Sequence, residues 1–199
     1  MKKKSNEIKL EQDFPQLEAL KVELKREQYK KHFKKLLRST VNALIVVAAI
    51  AALVATLVFP VLQIAGTSME PSLKDGELVL LVKTDNLEAG DLCAFYYSNK
   101  ILIKRIIACP GDYLWIEEDG TVFVNGNELN EPYISEKALG ECDVEFPYQV
   151  PENAYFMMGD HRETSIDSRS STIGCIAEDQ IVGKILFKFW PLSSFKWLG

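Results

Sequence analysis

Two residues far apart in this 199-residue chain have the chemistry of a nucleophile and its base. Ser68 sits in Gly66-Thr67-Ser68-Met69-Glu70-Pro71, where Gly66 permits a tight backbone approach and Pro71 stiffens the exit. A serine hydroxyl attacks a carbonyl only when a base takes its proton. Two groups compete for that role. His161, in Gly159-Asp160-His161-Arg162, can serve a Ser-His-Asp arrangement; the other histidine, His32, lies before the long apolar run. Lys104, in Ile101-Leu102-Ile103-Lys104-Arg105, interrupts an apolar β run. By period-two alternation Lys104 and Arg105 point to opposite faces, so at most one is easily solvated. A lysine on the buried face loses its charge readily and becomes a base near neutral pH. The plain alternatives are a turn serine and an exposed edge-strand lysine that discourages aggregation.

The elements that must position these groups follow from charge and periodicity. Residues 1–40 carry 12 Lys/Arg against 6 Asp/Glu, residues 41–64 carry no charge, and residues 65–199 carry 11 against 22. A basic end, an uncharged middle and an acidic body describe membrane topology and exclude general affinity for nucleic acid. Residues 41–62 are expected to form a transmembrane anchor, since 22 helical residues span roughly 33 Å against a hydrocarbon core of about 30 Å. The cluster Lys30, Lys31, Lys34, Lys35 and Arg38 keeps the N-terminus cytoplasmic and places residues from about 65 onward outside. Apolar residues at helical spacing make 5–38 a helical leader that Pro15 starts or breaks.

Beyond residue 66 the pattern becomes short β runs: 77–82, 92–97, 101–108, 113–116, 121–124, 154–158 and 181–189. The fold class is therefore mainly β, a single domain over 63–199 with a small β excursion near 113–150. Cys93, Cys109, Cys142 and Cys175 all lie in the outer part and leave three pairings, or free thiols, open. No Cys-x-x-Cys spacing is present, and neither a metal nor an organic cofactor is indicated.

Four segments in order, Gly66–Pro71, Gly90-Asp91-Leu92-Cys93-Ala94-Phe95, Lys104–Asp112 and Gly159–Arg169, preceded by the anchor, resemble the boxes of the bacterial type I signal peptidases, Ser/Lys proteases of compact Gram-positive type. The resemblance implies that Ser68 is the nucleophile and Lys104 the general base. It implies that Ser165 orients the lysine and that Asp167 and Arg169 support the site as an ion pair. Where some relatives place a serine hydroxyl for the oxyanion this chain has Gly66, so the oxyanion is expected to rest on backbone N–H groups around Gly66 and Ser68. Family substrates are signal-peptide-bearing preproteins with small residues at −1 and −3 before the cut. Ile64, Met69, Leu73, Leu102 and Ile103, apolar and flanking the dyad, are the expected pocket walls. Membrane lipid and, by proximity, the export machinery are the further partners. His161, Glu163 and Thr164 depart from the usual last-box pattern. The competing readings are a cytoplasmic self-cleaving regulator, which the anchor and acidic body oppose, and a membrane-anchored binding module with an unused site.

Overall fold

In the computed structural model, residues 17–58 and 60–198 are described. They fall into two units, one up to Val54 and one from Ala55 onward. The described part of the first is helical throughout and belongs to α1 (Leu17–Val58), whose last turn falls in the second. The N-terminal half of α1 carries charges around exposed Leu20, Leu24 and Phe33, and from Ser39 onward it is uncharged. Ala19–Val54 is the one helix among the described residues long and apolar enough to cross a membrane. The helical leader and the apolar run are thus one continuous helix. The expected anchor, 41–62, overruns its end: Val61 and Leu62 are already in a strand. Pro60 accounts for the stop, because it has no N–H to continue the ladder and disfavours helix in the residue before it. Pro15 and the first part of the expected leader lie outside the described residues.

The second unit is mainly β. Its strands are β1 (Val61–Gln63), β2 (Leu78–Val82), β3 (Leu92–Tyr97), β4 (Lys100–Ala108), β5 (Tyr113–Ile116), β6 (Val122–Val124), β7 (Asn127–Glu128), β8 (Tyr148–Gln149), β9 (Ala154–Met158), β10 (Ile176–Ala177), β11 (Ile181–Trp190) and β12 (Lys196–Trp197). The large sheet runs β1-β2-β11-β3-β4-β9-β10, with β12 pairing β11, and every pairing is antiparallel. A four-stranded sheet, β7-β6-β5-β8, forms the excursion.

Burial explains which runs became central strands. β9 (AYFMM) is buried at every residue and sits inside the sheet between β4 and β10. An unbroken apolar run suits a strand covered on both faces, whereas β5, alternating exposed and buried, has one wet face. β4 is exposed at Lys100 and Ile101 and buried from Lys104 to Ala108. The change coincides with β9, which pairs only with Arg105–Ala108 and leaves the 100–104 half with one free edge. Ile64, Met69, Leu73, Val79, Leu81, Leu92, Ala94 and Ile185 pack as one core cluster beneath the Ser68 loop. Each such fully buried aliphatic side chain contributes about 1.5–3 kcal/mol. All four cysteines are free thiols; burial pushes the Cys93 thiol up to about 12.

Candidate active site

Ser68 lies five residues after β1 in a turn pinned at both ends. Before it, Gly66 adopts φ +90°, a conformation that favours glycine, and its N–H donates to Asp75 Oδ1 at 2.8 Å. After it, Leu73 N–H donates to Met69 O (2.9 Å), and the Lys74 N–H donates to Glu77 Oε2 (2.9 Å). Glu77 is in turn held by Lys188 of β11 (2.9 Å), so a strand from the far end of the chain fixes the loop. The bond to Asp75 corrects one expectation: the Gly66 amide is already engaged and is not a free oxyanion donor. The Ser68 amide, by contrast, donates to no protein acceptor among the described residues.

Lys104 is 4% exposed. Its Nζ donates to Ser165 Oγ at 2.9 Å. Burial lowers its pKa from 10.5 to about 8; Asp167 and Asp160 pull it back up and Arg169 pushes it down. Arg105 is buried as well, so neither member of the pair is freely solvated. Two opposite faces are both covered, and the buried Arg105 guanidinium grips Asp160 with Nε and Nη2 (2.8 and 2.6 Å) while Nη1 reaches Gly90 O (2.7 Å).

The segment 159–169 brings the remaining groups. Ser165 is fully buried, its N–H donating to His161 O (3.1 Å). Asp167 and Arg169 form a bidentate pair, Nε to Oδ1 and Nη2 to Oδ2, both 2.8 Å. Asp167 Oδ2 also accepts from Gly159 N–H (2.9 Å), and Arg169 Nη2 donates to Ser165 O (3.2 Å). Burial pushes the Asp167 carboxyl upward, but the Arg169 hydrogen bonds and charge outweigh it and hold the group below 3.8. The His161 N–H donates to Ser68 O (3.1 Å), so the last motif touches the Ser68 loop directly.

A Cβ on Gly159 would collide with Ser165 Oγ and with Ser68 O, two groups of the site at once. Gly159→Ala is expected to lower turnover about 10- to 100-fold, the cost of a small misplacement of reacting groups, with the fold retained. Steady-state cleavage beside a thermal melt checks this.

Ser68 and Lys104 line one narrow cleft of about 110 Å³. Ile64, Met69, Leu102 and Ile103 line it with them. Leu73 does not; it is 0% exposed within the core beneath, because the turn after Pro71 directs it inward. The sequence reading missed Leu62, Gln63, Ala65 and Ile101 on the rim. Their residue types carry no signal of it: the placement follows from β1 pairing with β2, where Ile64 N–H donates to Glu77 O and its C=O accepts from Gly76 N–H, so the polar groups of Gln63 and Ala65 face away from β2. His161 lines a different cleft, with Glu70 and Glu163, and its ring Nδ1 is buried without a hydrogen-bond partner among the described residues.

Among known families, the signal peptidase, peptidase S26 family matches residues 37–190, a stretch holding every residue of this constellation. This chain belongs to the S26 signal peptidases. Signal peptidase IB of Staphylococcus aureus (strain MRSA252) is 40% identical over 154 residues, covering 67% of this chain and 79% of that protein. Signal peptidase I of Bacillus licheniformis is 35% identical over 152 residues, covering 70% and 81%. A crystal structure of a signal peptidase I from Enterococcus faecalis V583 aligns with 51% of this chain and 98% of its own, at 25% identity and a TM-score of 0.42. S26 peptidases are serine hydrolases that cleave signal peptides from preproteins.

Proposed function

We propose that this chain removes signal peptides from exported preproteins at the outer face of the cytoplasmic membrane, with Ser68 as nucleophile and Lys104 as general base. The observation that carries the assignment of roles is a buried lysine, held by Ser165 Oγ, opening onto the cleft that Ser68 also lines. His161 is the weaker base, since it does not line the cleft that Ser68 and Lys104 share.

The substrate enters extended. β1 is an edge strand, and the 100–104 half of β4 has a free edge of its own. Both line the cleft, so a signal peptide can add as a strand between them through backbone hydrogen bonds. Ile64, Met69, Leu102 and Ile103 leave a narrow apolar space suited to methyl-sized side chains at −1 and −3. Neutral Lys104 then takes the Ser68 Oγ proton as Oγ attacks the scissile carbonyl. The oxyanion is stabilised by the Ser68 N–H. Lys104 passes the proton to the leaving amine as the C–N bond breaks, leaving an acyl-enzyme. A water molecule, deprotonated by the same lysine, attacks the ester and releases the cleaved peptide, returning the proton to Ser68. Asp167 and Arg169 hold the segment that presents Ser165.

Protonated Lys104 is inactive in this scheme. Cleavage is therefore expected to be slow below the pKa of Lys104, to rise with pH through about 8, and to level off above it. A pH profile of kcat/KM that instead rises through the ordinary histidine range of about 6.5 would favour His161.

The proposed setting is a single-pass membrane protein. α1 supplies the anchor, with Lys30, Lys31, Lys34, Lys35 and Arg38 on the cytoplasmic side. Lipid contact extends to the outer unit through Trp190, Leu192, Phe195 and Trp197, each more than half exposed on and around β11 and β12. Amphipathic aromatic rings favour the bilayer interface. In the full chain inserted into vesicles, where α1 already holds the protein, replacing Trp190 and Trp197 by serine is expected to abolish most of the tryptophan quenching by brominated lipid, with little effect on cleavage of a short soluble peptide; no quenching in wild type would sink the idea. The export machinery is a partner by proximity to its emerging substrates.

The deciding experiment is cleavage of a signal-peptide-bearing precursor by detergent-solubilised protein. Cutting after a small-x-small site that is lost in Ser68→Ala and Lys104→Met supports the reading. Normal cutting by folded Lys104→Met would sink the dyad.

A further inference from the structure

Three arginines around the site converge on a segment that none of the four motifs contains. Glu131, in the excursion, is buried, and its carboxylate accepts from both terminal nitrogens of Arg162: Nη1 to Oε2 at 3.0 Å, and a short bond from Nη2 to Oε1. The Tyr133 hydroxyl donates to the same carboxylate at 2.9 Å. The Tyr133 ring lies 3.9 Å from the Arg105 guanidinium, which grips Asp160. A few residues on, Ala138 O and Leu139 O accept from Arg169 Nη1 (3.3 and 2.6 Å).

Arg162 is the link to chemistry. It sits within the turn 159–165, and its Nε donates back to Gly159 O at 3.1 Å. Gly159 abuts Ser165 Oγ and Ser68 O, and its N–H is tied to Asp167. The direction of the Arg162 side chain thus fixes the turn that carries Ser165 to Lys104.

We propose that Glu131, supported by Tyr133, is a positioning residue: it clamps Arg162 so that the turn 159–165 presents Ser165 Oγ to Lys104 Nζ. This rests on the Ser68/Lys104 reading. A planar carboxylate facing a planar guanidinium admits essentially one bidentate arrangement, so the pair sets direction as well as charge. With the carboxylate gone, the buried Arg162 charge has no partner at that position, and the guanidinium is drawn toward Asp160, the partner of Arg105. The turn then shifts, Ser165 withdraws, and water reaches Lys104. Better solvation favours the ammonium form, so the base must be deprotonated at higher pH.

The test uses the detergent-solubilised full chain and a precursor with Ala at −1 and −3, comparing wild type, Glu131→Gln and Tyr133→Phe. Glu131→Gln keeps the side-chain shape but turns an NH₂ group toward the guanidinium. Well below its melting temperature it is expected to lose about 10- to 100-fold in kcat with KM within about threefold. Its kcat/KM profile is expected to move to a midpoint above 8. Tyr133→Phe removes one hydrogen bond, keeps the ring over Arg105, and is expected to move the same quantities less, by about three- to tenfold in kcat. A purely structural role lowers the melting temperature and leaves the pH midpoint and kcat of the folded fraction unchanged. That result in Glu131→Gln, or in Tyr133→Phe should Glu131→Gln not fold, overturns the clamp. Ser68→Ala and Lys104→Met run alongside as inactive controls; cleavage retained by either would overturn the dyad itself and the clamp with it.

Discussion

Ser68→Ala is expected to reduce precursor cleavage at least about 10⁴-fold, and Lys104→Met about as far, with both proteins folded. The losses are alike because in the proposed mechanism nucleophile and base act as one unit: neither the attack nor the proton transfer proceeds without the other. The two variants part company in stability. Lys104 has its folded pKa lowered from 10.5 to about 8 by burial, which corresponds to about 3 kcal/mol. Between those values the unfolded chain binds more protons than the folded one, so folding gains stability as pH rises from 8 to 10.5. Below 8 the full cost of a buried ammonium is present. Lys104→Met is therefore expected to melt higher than wild type at neutral pH, by an amount that shrinks toward pH 10. Ser68→Ala, at a half-buried turn residue, is expected to melt near wild type. Thermal melts of all three proteins across pH 6–10 check this. A Lys104→Met protein less stable than wild type at pH 7 would mean that the lysine is held charged by its surroundings, which would deprive it of the role of base.

Arg169→Met is the second large expected effect, and it strikes the fold. Both members of the Asp167–Arg169 pair are fully buried. Removing the guanidinium leaves a buried carboxylate whose bidentate partner is gone, and it also frees Leu139 O and Ser165 O. Breaking a buried pair from one side costs about 3–5 kcal/mol. For a chain of this size that lowers the melting temperature by roughly 10 °C. The sign with pH also follows. Asp167 has its folded pKa held below 3.8, so the pair contributes stability above that value and loses it as pH falls further through the folded pKa. In Arg169→Met that acid dependence is expected to weaken, because the carboxyl has lost the group that keeps it ionised. Chemical denaturation at pH 7 and pH 3 measures both quantities.

Much of the β unit was legible as pattern. The runs expected at 92–97, 113–116 and 154–158 are strands with those bounds, and the excursion near 113–150 is the separate small sheet. Long apolar or alternating runs declare themselves through burial, which depends mostly on local composition. β7, β8, β10 and β12 were not legible: each is two residues long and exists only because a longer strand lies beside it. β1 was hidden for another reason. Its residues are as apolar as the helix before them, and Pro60 alone divides the two.

The site divides along the same line. Residue type and order in the sequence determined which groups have chemistry, since a serine in a glycine-bounded turn and a lysine in an apolar strand can be read one residue at a time. They did not determine that Lys104 and Arg105 are both buried, that Leu73 turns into the core, that the Gly66 amide is spent on Asp75, or that Glu131 holds Arg162. Each of those depends on a partner between nine and 61 residues away or on the covering of a second sheet face. Desolvation, which lowers the pKa of Lys104, is a property of what surrounds the side chain, and only the tertiary structure decides that.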